Sequence, residues 1–143
     1  MSKMKDVLIS VKTVRHENGT AETVTFENKG RFGRLNGTYI IAYNDKAFSK
    51  EAGEIDTTIR ISSKNEAVIS RKGAYESRLH IKKGEKTACS YFTPYGTIII
   101  DLLGEKIESS LKDDGGVLSL KYRIDHNGFE VNKNEIEIIV KEV

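Results

Sequence analysis

The chain has 143 residues, of which 38% are hydrophobic and 31% charged, enough apolar material to bury one core without disulfides or metals; this composition excludes a disordered chain. Its 23 basic and 21 acidic residues leave a net charge of +2. That is too balanced for the strongly positive field that binds polyphosphate non-specifically, so nucleic acid is unsupported as a partner.

At the start, Val7-Leu-Ile-Ser-Val11 is short, mixed with polar residues and without a small-residue cleavage site, so it reads as a strand rather than a signal. No stretch approaches the roughly 18 apolar residues that span a bilayer, which excludes the membrane as a partner. Val7, Ile9 and Val11 alternate as one buried face, and Asn18-Gly19 supplies the positive φ of a tight hairpin turn. Gly30-Arg-Phe-Gly-Arg34 lacks the following helix that a phosphate-binding loop needs, and reads as a bulge or bend. Asn36-Gly37 turns the chain into Tyr39, Ile41 and Tyr43. From Asn44 to Glu54 the pattern is irregular: one or two helical turns around Ala47, Phe48 and Ala52 would cap a barrel mouth, and the alternative is a plain loop with Phe48 plugging the core edge.

Beyond it, Ile55, Thr57, Ile59 and Ile61 alternate again, followed by turn signals at Lys64-Asn65, Lys72-Gly73 and Lys83-Gly84. Thr93-Pro-Tyr-Gly96 suits a type I turn, with Tyr91, Phe92 and Tyr95 crowded about it as a stacking lip or as a core plug. Gly104-Glu105 and Asp114-Gly115 are further turn signals. Leu118, Leu120, Tyr122 and Ile124 form the next face, Asn127-Gly128 the next turn, and Ile136, Ile138 and Val140 alternate with Glu135, Glu137 and Lys141 in a half-buried antiparallel strand. About ten strands with no 3.6-residue period between them predict a single all-β domain over residues 1–143: an antiparallel up-and-down meander closed into a small barrel, with a β-sandwich as the alternative.

Chemistry is scarce. His16, His80 and His126 fall on different segments in no metal-ligand pattern, and no Ser, Cys or Thr carries the signature of an activated nucleophile, so neither a cofactor nor catalysis is expected. Cys89, the only cysteine, excludes an intrachain disulfide, alternates inside a strand as a small buried thiol, and fits a reducing, cytoplasmic location.

Basic residues concentrate between Lys64 and Lys86. With Lys72-Gly73 as a two-residue turn, Arg71 pairs with Ala74, Ile69 with Glu76 and Ala67 with Arg78, which turns Arg71, Glu76, Arg78 and His80 to solvent as an ion-pair ladder. A one-residue bulge would turn Arg71 and Arg78 inward together, where burial demands an anionic partner.

The chain resembles the YwiB-like family of small bacterial proteins. The resemblance rests on Gly30 followed by Tyr39-Ile-Ile-Ala-Tyr43, then Val68-Ile-Ser-Arg71-Lys-Gly73, Tyr91-Phe-Thr-Pro-Tyr-Gly96 and Gly116-Val-Leu-Ser-Leu-Lys-Tyr122, in that order over nearly the whole length. It implies a calycin-like, lipocalin-type barrel; no ligand or catalytic residue is carried over, because fold alone does not establish a function.

Two functions compete. In one, the barrel holds a small, anionic or partly apolar molecule, with Tyr43, Tyr91 and Tyr95 near an opening and Arg71, Arg78 and His80 as anion anchors. In the other, a barrel with a solid core is a structural or interaction module, including a homodimer, using its outer face, a strand edge or the basic hairpin.

Overall fold

The computed structural model describes residues 4–45, 54–73, 76–93 and 95–143; the side chains of residues 91–93 also lie outside the description. Ten strands follow one another: β1 (Lys5–Glu17), β2 (Thr20–Leu35), β3 (Thr38–Asn44), β4 (Ile55–Ser63), β5 (Glu66–Gly73), β6 (Ser77–Lys82), β7 (Lys86–Thr93), β8 (Gly96–Ser109), β9 (Gly115–His126) and β10 (Phe129–Glu142). Each pairs antiparallel with its sequence neighbours, and β1 pairs with β10, so the meander closes into a barrel rather than a sandwich. No helix among the described residues is long and apolar enough to cross a membrane.

The turns follow from residue chemistry. Asn18, Asn36 and Asn127 each sit at φ 52° before a glycine of positive φ, joining Glu17 to Thr20, Leu35 to Thr38 and His126 to Phe129 across two-residue loops. Two expected turns are not turns. Gly73 remains in the ladder opposite Ile55, and Gly104-Glu105 is a bulge where the β8–β9 register slips between Gly104 and Lys106. The proposed helical turns around Ala47, Phe48 and Ala52 lie outside the described residues.

The alternating positions read from the sequence face inward. Ile9, Ile41, Ile59, Ile69, Leu79, Leu102, Leu118 and Ile138 are at most 1% exposed, and all ten strands contribute buried apolar side chains. At about 25 cal/mol per Å² of apolar surface, this packed interior is the main stabilising term of the fold.

At the lower end of the barrel, the turn from β6 into β7 packs against β8. Gly84 N–H donates to the Gly104 carbonyl at 2.8 Å and Gly104 N–H to the Glu85 carbonyl at 3.2 Å, so the turn lies directly on β8. Only a glycine permits this approach, since a Cβ on Gly104 would come within 2.3 Å of the Lys82 carbonyl oxygen.

A polar layer occupies the upper interior. Tyr43, Thr57 and Arg71 are neighbours in register across β3, β4 and β5, and Asp45 follows at the end of β3; all four are buried. Thr57 Oγ1 donates to Asp45 Oδ2 at 2.8 Å, and Arg71 Nε stands 3.6 Å from the same oxygen. Burial pushes the Tyr43 hydroxyl well above the ordinary tyrosine range and Asp45 adds to the rise, while Arg71 opposes it. A tyrosine that stays protonated in the fold but ionises when unfolded contributes stability that is present below its unfolded pKa of about 10 and shrinks above it, by at most about 1.4 kcal/mol per pH unit. Stability measured by urea titration from pH 9 to 11 is therefore expected to fall less steeply in Tyr43→Phe than in the parent protein; equal slopes would contradict the burial of that hydroxyl.

Candidate functional site

The hairpin between β5 and β6 decides where the basic residues go. Arg71 pairs with Ser77, Ile69 with Leu79 and Ala67 with Ile81, so the register expected from a Lys72-Gly73 turn is corrected by three positions. Neither register anticipated from the sequence is present. Arg71 faces inward with Ser77, Leu79 and Ile81, whereas Arg78 and His80 face outward. The two arginines stand on opposite faces of one sheet because Arg71 is matched to an odd-numbered partner, Ser77, and the odd-numbered side of β6 is the apolar one.

They nevertheless meet at one place. A cavity of about 710 Å³ lies on the outside of β4–β7 and is lined by both Arg71 and Arg78. Its floor is a row of directly opposed outward residues: Thr58 on β4, Ser70 on β5, Arg78 on β6 and Ser90 on β7. Three of the four are small hydroxyl side chains, so the surface is hollow there. The walls are longer: Asp56 and Lys72, a cross-strand pair, stand above the floor with Glu76, and Arg60 stands below it. Arg71 and Ser77 close the upper end from the inward side. Three outward cations, Arg60, Lys72 and Arg78, thus stand with two carboxylates around a floor of hydroxyls, and none of the lining residues is aromatic or aliphatic.

The sheet is thin at this point. Arg78 and Ser90 form the one ladder pair between β6 and β7 among the described residues. One step further down β6, the His80 N–H donates to Cys89 Sγ at 3.4 Å and the His80 carbonyl accepts from the Thr87 hydroxyl, so two side chains of β7 take the place of a ladder partner. Cys89 is buried, as its alternation indicated.

The other sequence-derived candidates lie elsewhere. His80 Nε2 is 2.7 Å from Glu66 Oε1 on the outer face, one row below the cavity floor. Tyr43 is 6% exposed inside the barrel, with its ring 6.0 Å from that of Phe26. Tyr95 is 99% exposed at the β7–β8 turn. Tyr91 pairs with Ile98 along β7, and its side chain lies outside the description. Sequence reading missed the outward residues Asp56, Thr58, Arg60 and Ser90. The signal was present in β4, whose polar positions alternate with Ile55, Thr57, Ile59 and Ile61, but no local pattern places β4 two strands from Arg78.

Comparison with known proteins agrees with this architecture. The chain is 23% identical over 123 residues to the uncharacterized beta-barrel protein YwiB of Bacillus subtilis (strain 168), covering 85% of this chain and 83% of that one. The crystal structure of the ywiB protein from Bacillus subtilis superposes with a TM-score of 0.84 at 20% identity, covering 99% of this chain and 95% of the other, a likeness of fold. A family model described as a domain of unknown function (DUF1934) matches residues 9–138, and the chain belongs to that family.

Proposed function

We propose that this protein is a cytoplasmic binding barrel for a small anionic molecule, held in the hollow outside β4–β7 rather than in the interior. The single observation that carries this reading is that the outward cations Arg60, Lys72 and Arg78 line one 710 Å³ cavity floored by Thr58, Ser70 and Ser90. That volume falls in the roughly 300–1,000 Å³ range of small-molecule sites. Exposed guanidinium groups above a floor of hydroxyl donors suit phosphate or carboxylate, which accept charge-assisted hydrogen bonds from arginine in pairs. The interior offers less: its lower part is packed with apolar side chains, and Arg71 already faces the Asp45 carboxylate there.

Calorimetric titration with inorganic phosphate at low salt tests the reading. Saturable binding is expected in the parent protein, and Arg78→Gln should weaken it by about tenfold, the loss of one charge-assisted contact. Heat that is non-saturable, or equal affinity in Arg78→Gln, would refute it.

An interaction module is the second reading, and β2 favours it. Residues Thr20–Lys29 pair with β1 on one side, and the β3 ladder begins only at Gly30, so among the described residues this segment is a sheet edge. Ile99 and Phe129 add exposed apolar surface, 66% and 77% exposed. A mass that rises with concentration in native mass spectrometry, with no retained small molecule, would favour this reading over the first.

A further inference from the structure

We infer that the molecule bound in the hollow is a phosphorylated sugar, a compound that carries hydroxyl donors as well as negative charge; this rests on the anion-binding reading above.

The lining itself separates the ligand classes. A bare inorganic anion needs only cations and hydroxyls, yet Asp56 and Glu76 stand among the cations of the wall. Two carboxylates repel a second anion, whereas they are strong acceptors for hydroxyl groups. A ligand with both functions uses all of the lining: its phosphate meets Arg78, Arg60 and Lys72, and its hydroxyls donate to Asp56 and Glu76. Thr58, Ser70 and Ser90 can serve either part, because a hydroxyl donates one hydrogen bond and accepts others. The size agrees, since 710 Å³ accommodates far more than a single inorganic ion.

Apolar and aromatic ligands fit badly. Small-molecule sites are usually lined by hydrophobic and aromatic side chains, and the described lining here contains neither. A fatty acid or a nucleobase would find no aliphatic or aromatic side chain to pack against among these residues. The three hydroxyl residues and Arg78 lie directly opposite one another across four strands, a row of polar side chains on strands about 5 Å apart.

Titration of the full chain with ribose 5-phosphate, glucose 6-phosphate, fructose 1,6-bisphosphate, glucose and inorganic phosphate tests the inference. At least one sugar phosphate should bind about tenfold or more tightly than inorganic phosphate, and glucose alone should bind more weakly than either. Asp56→Asn adds a change of opposite signs: it should weaken that sugar phosphate by about fivefold and leave inorganic phosphate as tight or tighter, because the repulsion is removed while the hydroxyl acceptor is impaired. If inorganic phosphate binds and no sugar phosphate exceeds it, the sugar assignment falls and anion binding stands. If none of the anions binds, both fall. Loss of both affinities together in Asp56→Asn, with an unchanged thermal midpoint, would also overturn the assignment of Asp56 to the sugar hydroxyls.

Discussion

Replacing Asp45 by alanine is expected to lower the unfolding free energy by about 3 kcal/mol, the scale observed when one member of a buried ion pair is removed. The side chain holds two groups at once: Oδ2 accepts the Thr57 hydroxyl at 2.8 Å and faces Arg71 Nε at 3.6 Å, with the two charged side chains only 3% and 9% exposed. Its backbone N–H donates to the Ile55 carbonyl at 2.8 Å and is untouched by the substitution, so the loss reports the carboxylate. Without that carboxylate the Arg71 charge stays in the interior with the Asp45 counter-charge gone. Substituting Arg71→Met in the same chain should therefore recover most of the loss, because the uncompensated charge is removed with it. Denaturant titration of the two single variants and the double variant measures the coupling; additive effects would show that Asp45 and Arg71 do not stabilise each other.

Gly104→Val should be the second large effect, about 2–3 kcal/mol, from forced displacement at a packed contact. A Cβ at this position would lie 2.3 Å from the Lys82 carbonyl oxygen and 2.7 Å from its carbon, both backbone atoms that cannot rotate away. The turn between β6 and β7 must then lift off β8, breaking the bonds that Gly84 N–H and Gly104 N–H make across it. Hydrogen exchange distinguishes this from general destabilisation: protection should drop first at Gly84 and Gly104 and be kept at Leu118 and Ile138. Uniform loss across the barrel would place the damage elsewhere.

The all-β meander was legible because its signals are local. Asparagine accepts positive φ ahead of glycine, so Asn18-Gly19, Asn36-Gly37 and Asn127-Gly128 announce two-residue turns without reference to the rest of the chain. Period-two alternation likewise fixes which side of β1, β4, β9 and β10 is buried. The site was only half legible. Arg71 and Arg78 stood out by charge, but the register of their hairpin depends on where the turn falls, and Lys72-Gly73 imitates a turn while Gly73 in fact pairs with Ile55. An odd shift of three positions reverses the face of one strand relative to the other, which is why a single slip separated the two arginines. The hydroxyl floor was hidden for a different reason. Thr58, Ser70 and Ser90 are ordinary outward residues in their own strands, and only the in-register pairing of β4 to β7 sets them side by side.

Whether ligand binds outside the sheet or within the barrel is measured most directly by mapping amide shifts in an isotope-labelled sample during a phosphate titration. The outer hollow predicts saturable shifts concentrated at Thr58, Ser70, Arg78 and Ser90, with Ile9, Leu118 and Ile138 unmoved. Shifts concentrated at those interior positions, with the four floor residues silent, would contradict it.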